Sequence, residues 1–313
     1  MDTVGTPLLW AGFLGFVALM LAADLGIFHR RPHEQSLKEA GVWSAVWVSL
    51  AGSFAVGLYF LFGAEQSLEF TTGYLIEKAL AVDNIFVFVV VFAAFGIRPI
   101  HQHRVLYWGV FGALVMRAIF IFAGGALIQR FHWMMYVFGA VLAFTGLRLL
   151  LQRDKETNPA EGRLIRWLER VLPLDRQATG PAFTVVKNGK RYGTPLLLAL
   201  IAIEVTDLIF AVDSIPAIFA VTTDPFIVFT SNIFAILGLR SMYFLLAGVL
   251  DRFVYLKVGL ACVLMFVGTK MLVVDLIKLP IVASLGVIVG ILAVSIAASL
   301  VVPRPEPSKS PTP

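Results

Sequence analysis

Charge and cysteine are both scarce in this 313-residue chain. Asp, Glu, Lys and Arg supply 14% of the residues and hydrophobic residues supply 59%, which is too apolar for a soluble domain of this length. The single cysteine, Cys262, excludes a disulfide framework and a thiolate metal site within one chain. No GxxxxGKS or GxxxxGKT phosphate loop occurs, which argues against an ATPase. The composition indicates a polytopic membrane protein.

Histidine is missing from the long apolar runs. All five histidines lie at the ends of these runs or between them: His29, His33, His101, His103 and His132. Together with the scarcity of cysteine, this argues against a zinc or copper site. Because no nucleophile-and-base pair and no cofactor motif stands out, we expect neither an enzyme nor a bound cofactor, and no nucleic-acid partner.

Nine apolar stretches are long enough to cross a hydrocarbon core of about 30 Å. They run approximately over 8–28, 41–63, 69–95, 105–127, 133–151, 195–220, 226–249, 255–277 and 281–302. Helices are the only consistent choice, because strands of a closed barrel would be shorter and would alternate. We therefore predict an all-α membrane helix bundle of about nine spans over residues 1–302.

Lys and Arg concentrate on one side of the bilayer if the N-terminus lies outside. Eighteen then fall on the cytoplasmic side, nine of them in the connection 152–194, and only Arg130 and Lys278 fall outside. This asymmetry predicts a chain with its N-terminus outside and its C-terminus inside.

The connection 152–194 is the one substantial soluble piece. Its segment AEGRLIRWLERVLPL, residues 160–174, is typical of an amphipathic helix at the lipid interface, although a partner-binding or solvated helix explains it equally well. The pair Asn188-Gly189 suits a two-residue hairpin turn. The proline-rich tail 303–313 is expected to be disordered.

The third and sixth spans carry a repeated motif. EKALAVDN (77–84) matches DLIFAVDS (207–214), MRAIFIFAGGAL (116–127) matches LRSMYFLLAGVL (239–250), and TGLR (145–148) matches VGTK (267–270). Three pairs in the same order argue against chance similarity. Because each unit holds three spans, spans three to five and six to eight should have opposite orientations. This is the inverted-repeat plan of secondary transporters, whose substrate site lies near the midplane.

Acidic residues inside the spans are costly. An acid at a helix centre costs roughly 3 kcal/mol, so the three in span six cost about 9 kcal/mol against roughly 7 kcal/mol from its apolar residues. Residues kept at such a cost are by default functional. The candidate metal ligands are Glu77, Asp83, Asn84, Glu204, Asp207, Asp213 and Ser214. The candidate coupling or ion-pair residues are Asp24, Lys78, Arg117, Arg240 and Lys270, and for the basic ones internal ion pairing is an equally good explanation.

Helix geometry limits which of these groups can face one ion. Residues seven apart, such as Glu77 and Asn84, share a face, whereas Asp83 and Asp213 lie about 120° from the first acid of their own motif. Pro216 removes a backbone donor and is expected to open span six just after Asp213, which would turn that carboxylate inward. The expected result is a central cage of carboxylate, amide and hydroxyl oxygens. Such a cage suits magnesium, calcium or manganese, and the same oxygens can take up protons when the cation leaves.

The two helix motifs resemble those of the TerC family of bacterial inner-membrane proteins, and of its Alx branch in particular. The resemblance rests on EKALAVDN and on IFAVDSIPAIFAVTTDPFIVFTSNIFAILGLRSMYFLLAGVLDRF, residues 209–253, and extends over roughly residues 1–302. It implies manganese export from the cytoplasm and an older association with tellurite resistance. By position, the acids of the family fall on Glu77, Asp83, Asp207 and Asp213, with Asn84, Glu204, Ser214 and Asp24 alongside.

We therefore expect a secondary transporter that exports Mn²⁺ by proton antiport through the bacterial inner membrane. In this hypothesis Asp83 and Asp213 bind the metal directly, while Glu77 and Asp207 share ligation and proton exchange. Asp83→Asn and Asp213→Asn should then abolish transport. The alternative is a membrane assembly or metalation factor for other membrane or exported proteins, whose acids would dock a partner or stabilise the bundle.

Overall fold

The chain is described by a computed structural model that covers most of its apolar stretches. The described residues are 3–28, 36–131, 133–151, 173–175, 178, 180–247, 255–277 and 279–301, without the side chains of residues 24–28 and 83. The predicted amphipathic segment, apart from its last two residues, and the predicted disordered tail lie outside them.

Ten helices and one β-hairpin make up the described part of the chain. The helices are α1 (Pro7–Phe28), α2 (Leu37–Phe62), α3 (Ala64–Ala94), α4 (Pro99–Arg130), α5 (Met134–Leu151), α6 (Pro195–Phe219), α7 (Pro225–Leu237), α8 (Leu239–Leu246), α9 (Leu256–Leu272) and α10 (Ile281–Val301). The strands are β1 (Thr184–Lys187) and β2 (Lys190–Gly193). The chain is an all-α polytopic membrane protein, as predicted, and each predicted span contains a helix.

Several helices begin at residues that favour a helix start. Proline occupies the first turn of α4, α6 and α7, where its missing N–H is not needed. The Asp224 carboxylate caps α7 by accepting from the Phe226 N–H at 2.8 Å, and the Ser36 hydroxyl caps α2 by accepting from the Glu39 N–H. These helix starts lie within six residues of the predicted starts of the spans.

Length and composition qualify five described helices as membrane spans: α2, α4, α5, α6 and α10. The pair α7–α8 qualifies as a sixth span, and it is bent by 41° at Gly238 rather than forming the single helix that was predicted. Helix α3 is 31 residues long, but its apolar part carries Glu77, Lys78 and Asp83. The count of nine spans and their sidedness stay predictions.

Helix α6 does not open at Pro216, so that prediction was wrong. The helix continues through the proline to Phe219, only three residues further on. A proline this close to the C-terminal end removes one backbone hydrogen bond and leaves the preceding turns intact. Asp213 therefore keeps the direction that an uninterrupted helix gives it.

The β-hairpin is present where Asn188-Gly189 predicts it. Both residues have positive φ, 52° and 74°, as a tight two-residue turn requires. Val185 pairs with Tyr192 across the antiparallel strands. The Arg104 guanidinium of α4 lies 5.3 Å from the centre of the Phe183 ring just before β1, so the hairpin lies at the end of the bundle where α4 begins.

Helices α5 and α9 pack through small residues with closely approaching backbones. A Cβ added to Gly139 would lie 2.9 Å from the Gly268 carbonyl oxygen, and one added to Gly146 would lie 2.7 Å from the Ala261 carbonyl oxygen. The repeat alignment pairs Gly146 with Gly268 and, at the same offset, Gly139 with Ala261. If each residue is replaced by its repeat partner, the Gly139–Gly268 contact becomes the Ala261–Gly146 contact. A two-fold axis between antiparallel helices requires this relation. This contact pattern supports the inverted repeat.

Helix α7 lies at the centre of the bundle. Every residue from Phe226 to Leu237 is buried, and the helix packs against α2, α3, α4 and α8. On one side its aromatic residues contact Trp10 and Phe13 of α1 and Phe54 of α2. Such complete burial means that polar residues of α7 face other helices and not lipid.

Candidate functional site

Six polar side chains from four helices meet in the middle of the bundle, and we call them the central cluster. Helix α3 supplies Glu77 and Asn84, α6 supplies Asp207 and Ser214, α4 supplies Arg117, and α7 supplies Asn232. Each of the six is 3% exposed or less. The two residues from α3 and the two from α6 are seven positions apart, which places each pair on one helix face as predicted.

Arg117 joins the two carboxylates of the cluster. Its Nη1 contacts Glu77 Oε1 in a short ion pair, and its Nη2 and Nε donate to Asp207 Oδ1 and Oδ2 at 3.1 and 3.4 Å. Nη1 also lies 3.1 Å from Asn232 Oδ1 and 3.3 Å from Ser214 Oγ. All three guanidinium nitrogens therefore donate to groups inside the cluster.

Two amides complete the hydrogen bonding of the carboxylates. Asn84 Nδ2 donates to Asp207 Oδ1 at 3.1 Å, and Asn232 Nδ2 donates to Glu77 Oε2 at 3.2 Å. Asn84 Oδ1, in contrast, is buried and accepts no hydrogen bond within the described part of the chain. A buried acceptor without a donor costs roughly 1–3 kcal/mol, so this oxygen is suited to a ligand that brings a positive charge or a proton.

The two repeats contribute corresponding residues to the central cluster. Asn84 donates to Asp207, and their repeat partners Ser214 and Glu77 both accept from Arg117 Nη1. The carboxylates of the two repeats therefore lie on either side of one pocket, each beside the small polar residue of the other repeat. Arg117 has no symmetry mate among the described contacts of this pocket.

The cluster carries one uncompensated negative charge when its three ionisable groups are charged, because two carboxylates share one guanidinium. An ion cluster this deeply buried is costly to desolvate, and its hydrogen bonds recover only part of that cost. A net negative, oxygen-rich pocket in the middle of a membrane protein is electrostatically suited to bind a cation or a proton.

Glu204 lies one turn from Asp207, toward the start of α6. Its half-buried carboxylate fits against Gly112 of α4 so closely that a Cβ at Gly112 would lie 2.0 Å from Glu204 Oε1. Glycine at position 112 is what leaves room for this carboxylate. Glu204 therefore lies next to the central cluster and closer to the end of the bundle that holds the hairpin.

Asp213 faces away from the central cluster, toward α5. Its half-buried carboxylate accepts a hydrogen bond from the Thr145 hydroxyl at 3.0 Å. The expectation that Asp213 turns inward at Pro216 was wrong, because α6 stays helical there. The side chains of Asp83 and Asp24 lie outside the described residues, so their predicted roles stay predictions.

The other predicted basic residues lie apart from the cluster. Lys78 Nζ donates to the Ala235 carbonyl at 3.1 Å, next to the bend at Gly238. Arg240 is buried and lines a small cavity with Trp47 and Tyr107. Lys270 is half-buried in the last turn of α9. Among the described side chains, Arg117 is the predicted basic residue that contacts Glu77 and Asp207.

Asn232 belongs to the cluster and sequence reasoning missed it. Its signal in the sequence is an amide within the otherwise apolar run FIVFTSNIFAIL, residues 226–237. Within the described residues, no group of three or more His, Cys, Asp or Glu side chains could hold a metal. The pocket therefore differs from the predicted cage in composition: it contains fewer acids, and it adds an amide and a guanidinium.

Comparison with known proteins agrees with the sequence resemblance. Residues 62–306 match the family described as "Integral membrane protein TerC family". A membrane protein of Myxococcus xanthus, STKORF319, is 59% identical over 306 residues, covering 98% of this chain and 96% of that protein. A protein of Escherichia coli K12 named "Putative membrane-bound redox modulator Alx" is 53% identical over 304 residues, covering 94% of this chain and 95% of its own. No solved structure matches the chain. The chain belongs to the TerC family of integral membrane proteins.

Proposed function

We propose that this protein is a secondary transporter that exports Mn²⁺ from the bacterial cytoplasm across the inner membrane. The observation that supports this most directly is the central cluster. There Glu77 and Asp207, from corresponding positions of the two repeats, both contact Arg117, and Asn84 Oδ1 has no donor within the described residues. Carboxylate, amide and hydroxyl oxygens are ligands that Mn²⁺ accepts. Inverted repeats that meet at a midplane pocket are the architecture of alternating-access carriers.

The acids of α6 lie at three levels along the direction of transport. Asp213 lies nine positions after Glu204, which corresponds to about 14 Å of helix rise, and Asp207 lies between them. Glu204 is nearest the predicted cytoplasmic end, Asp207 lies in the central cluster, and Asp213 lies beyond it toward α5. Three acids at successive levels would offer oxygen ligands to a cation as it moves along the helix. A purely structural ion pair would need only Asp207 and its partner Arg117.

Export of a divalent cation needs an energy source. Moving two positive charges against an interior-negative potential costs about 4.6 kcal/mol per 100 mV, which a passive channel cannot supply. Because the chain has no phosphate-binding loop, proton antiport is the source we propose. The carboxylates of the cluster would exchange Mn²⁺ for protons.

Inverted membrane vesicles test this proposal. Vesicles with the wild-type protein should take up Mn²⁺ when a proton gradient is imposed, and a protonophore should stop the uptake. Glu77→Gln should abolish uptake, while Glu65→Gln, an exposed acid in the first turn of the same helix, should leave it unchanged. Uptake that persists without a proton gradient would show that antiport is wrong, and purified protein that moves no ion in liposomes would favour the assembly or metalation factor.

The name of the Escherichia coli relative suggests a redox role for that protein. The cysteine content of this chain limits which thiol chemistry is possible here. Cys262 is the single cysteine of this chain, so an internal dithiol cannot form. If transport is the function, Cys262→Ser should keep full Mn²⁺ uptake. Loss of uptake in this variant would point to thiol chemistry instead.

A further inference from the structure

Arg117 occupies the position that a bound cation would need. Its guanidinium contacts five oxygens: Glu77 Oε1, Asp207 Oδ1 and Oδ2, Asn232 Oδ1 and Ser214 Oγ. These oxygens come from three helices and surround one buried positive charge. Hard divalent cations take oxygen sets of this kind, usually six or more with water included.

A guanidinium and a metal ion that share one carboxylate compete for its oxygens. Two positive groups on one oxygen would repel each other strongly in a pocket without bulk water. The structure also provides an oxygen that Arg117 does not use, Asn84 Oδ1, which lies beside Asp207 and has no donor within the described residues. An entering cation therefore finds Asn84 Oδ1 free, and it competes with the guanidinium for the oxygens that Arg117 contacts.

We propose that Arg117 is a tethered counter-cation that competes with the transported metal for Glu77 and Asp207. This rests on the proposed cation site and adds a function for the arginine. In the empty carrier, Arg117 neutralises one of the two carboxylates and so lowers the cost of the charged pocket in the membrane. In the loaded carrier, the metal displaces the guanidinium from at least the Asp207 carboxylate.

The repeat partner of Arg117 does not share this position. Arg240 follows the bend at Gly238 and lines the cavity with Trp47 and Tyr107. The pocket therefore has two carboxylates related by the repeat and one guanidinium that the repeat does not duplicate. Competition at this site needs only Arg117, and Arg240 supplies a matched control that removes the same charge elsewhere.

Binding of Mn²⁺ alone to the purified full-length protein in lipid nanodiscs tests the competition. Free Mn²⁺ is measured by its electron paramagnetic resonance signal for wild type, Arg117→Gln, Arg117→Lys and Arg240→Gln. Removing a competitor raises the fraction of binding-competent pockets, so Arg117→Gln should bind at least roughly tenfold more tightly than wild type. Arg117→Lys should fall between them, because one ammonium cannot contact all five oxygens. Arg240→Gln should stay within about twofold of wild type.

Transport gives a second readout that a purely structural arginine would not produce. Arg117→Gln should bind Mn²⁺ more tightly and yet take it up more slowly in inverted vesicles, because the empty pocket then carries both carboxylates without a counter-ion. Equal or weaker binding in both Arg117 variants would overturn the competition while leaving the transport proposal intact. If Arg117→Gln does not fold, the Lys variant decides. Absence of Mn²⁺ binding in every protein would overturn the transport proposal and the competition together.

Discussion

The two repeats, α3–α5 and α6–α9, agree where they line the pocket. Glu77 corresponds to Asp207 and Asn84 to Ser214. Asn84 donates to Asp207, while Glu77 and Ser214 both accept from Arg117. The contact between α5 and α9 follows the two-fold relation of the repeats through Gly139 and Gly268. The shared positions therefore build a pocket between two equivalent walls, which is the arrangement an alternating-access carrier needs.

The repeats differ at the helix that follows the acid. Helix α4 runs uninterrupted for 32 residues and brings Arg117 into the pocket. Its counterpart is bent by 41° at Gly238, so α7 brings Asn232 to Glu77 and Arg240 lies beyond the bend. Repeated positions therefore supply the two carboxylates of the pocket, whereas unrepeated positions supply its guanidinium, Arg117, and an additional amide, Asn232.

The largest effect is expected from breaking the α5–α9 contact. In Gly268→Leu the new Cβ would lie 2.5 Å from the Ala143 backbone nitrogen and 2.7 Å from the Gly139 carbonyl oxygen. Backbone atoms of packed helices cannot move aside cheaply, so we expect the apparent unfolding temperature in detergent to fall by roughly 10 °C. Gly286→Leu on α10, where a Cβ meets nothing within 4 Å, is the matched control. Equal stability of the two variants would contradict the close antiparallel contact.

Asp213 separates binding from transport. Its carboxylate accepts from Thr145 and faces away from the central cluster, so Asp213→Asn should leave Mn²⁺ binding within about twofold of wild type. Transport should still be lost, because the cation then lacks its ligand beyond the pocket. Asp207→Asn, in comparison, should lose both. Loss of Mn²⁺ binding in Asp213→Asn would place that carboxylate in the cation site.

Features with a large free-energy cost or gain could be predicted from the sequence, and features with a small one could not. Long apolar runs and acids buried at several kcal/mol each are strong signals, and they located the helices and the carboxylates Glu77 and Asp207. A single buried amide costs much less, so Asn232 did not stand out. Pro216 was misread because a helix that ends three residues later loses little by containing it. The wrong prediction for the direction of the Asp213 side chain followed from this error.

Exchanging the small polar residues tests the equivalence of the two walls. Asn84→Ser removes the donor to Asp207 at 3.1 Å together with the unpartnered Oδ1, and should weaken Mn²⁺ binding by roughly tenfold. Adding Ser214→Asn restores one amide and one hydroxyl, but in the opposite repeats. If the walls are equivalent, the double variant should bind within about threefold of wild type. A double variant no better than Asn84→Ser would mean that the unrepeated Arg117 makes the walls unequal for the cation as well.

The smallest effect is expected at the bend that makes the repeats differ. Lys78 Nζ donates to the Ala235 carbonyl, which belongs to the last turn of α7, and lies close to Gly238. Lys78→Met keeps most of the apolar stem but loses this charge-assisted hydrogen bond, which is worth about 1.5–3 kcal/mol, so thermal unfolding should begin a few degrees lower.

Mn²⁺ binding should change little, because Lys78 does not contact the central cluster within the described residues. Lys190→Met in the exposed hairpin is the control for loss of charge alone. If Lys78→Met instead weakens Mn²⁺ binding as much as Asn84→Ser does, the bend is coupled to the pocket, and the asymmetry between the repeats extends to more than the position of one arginine.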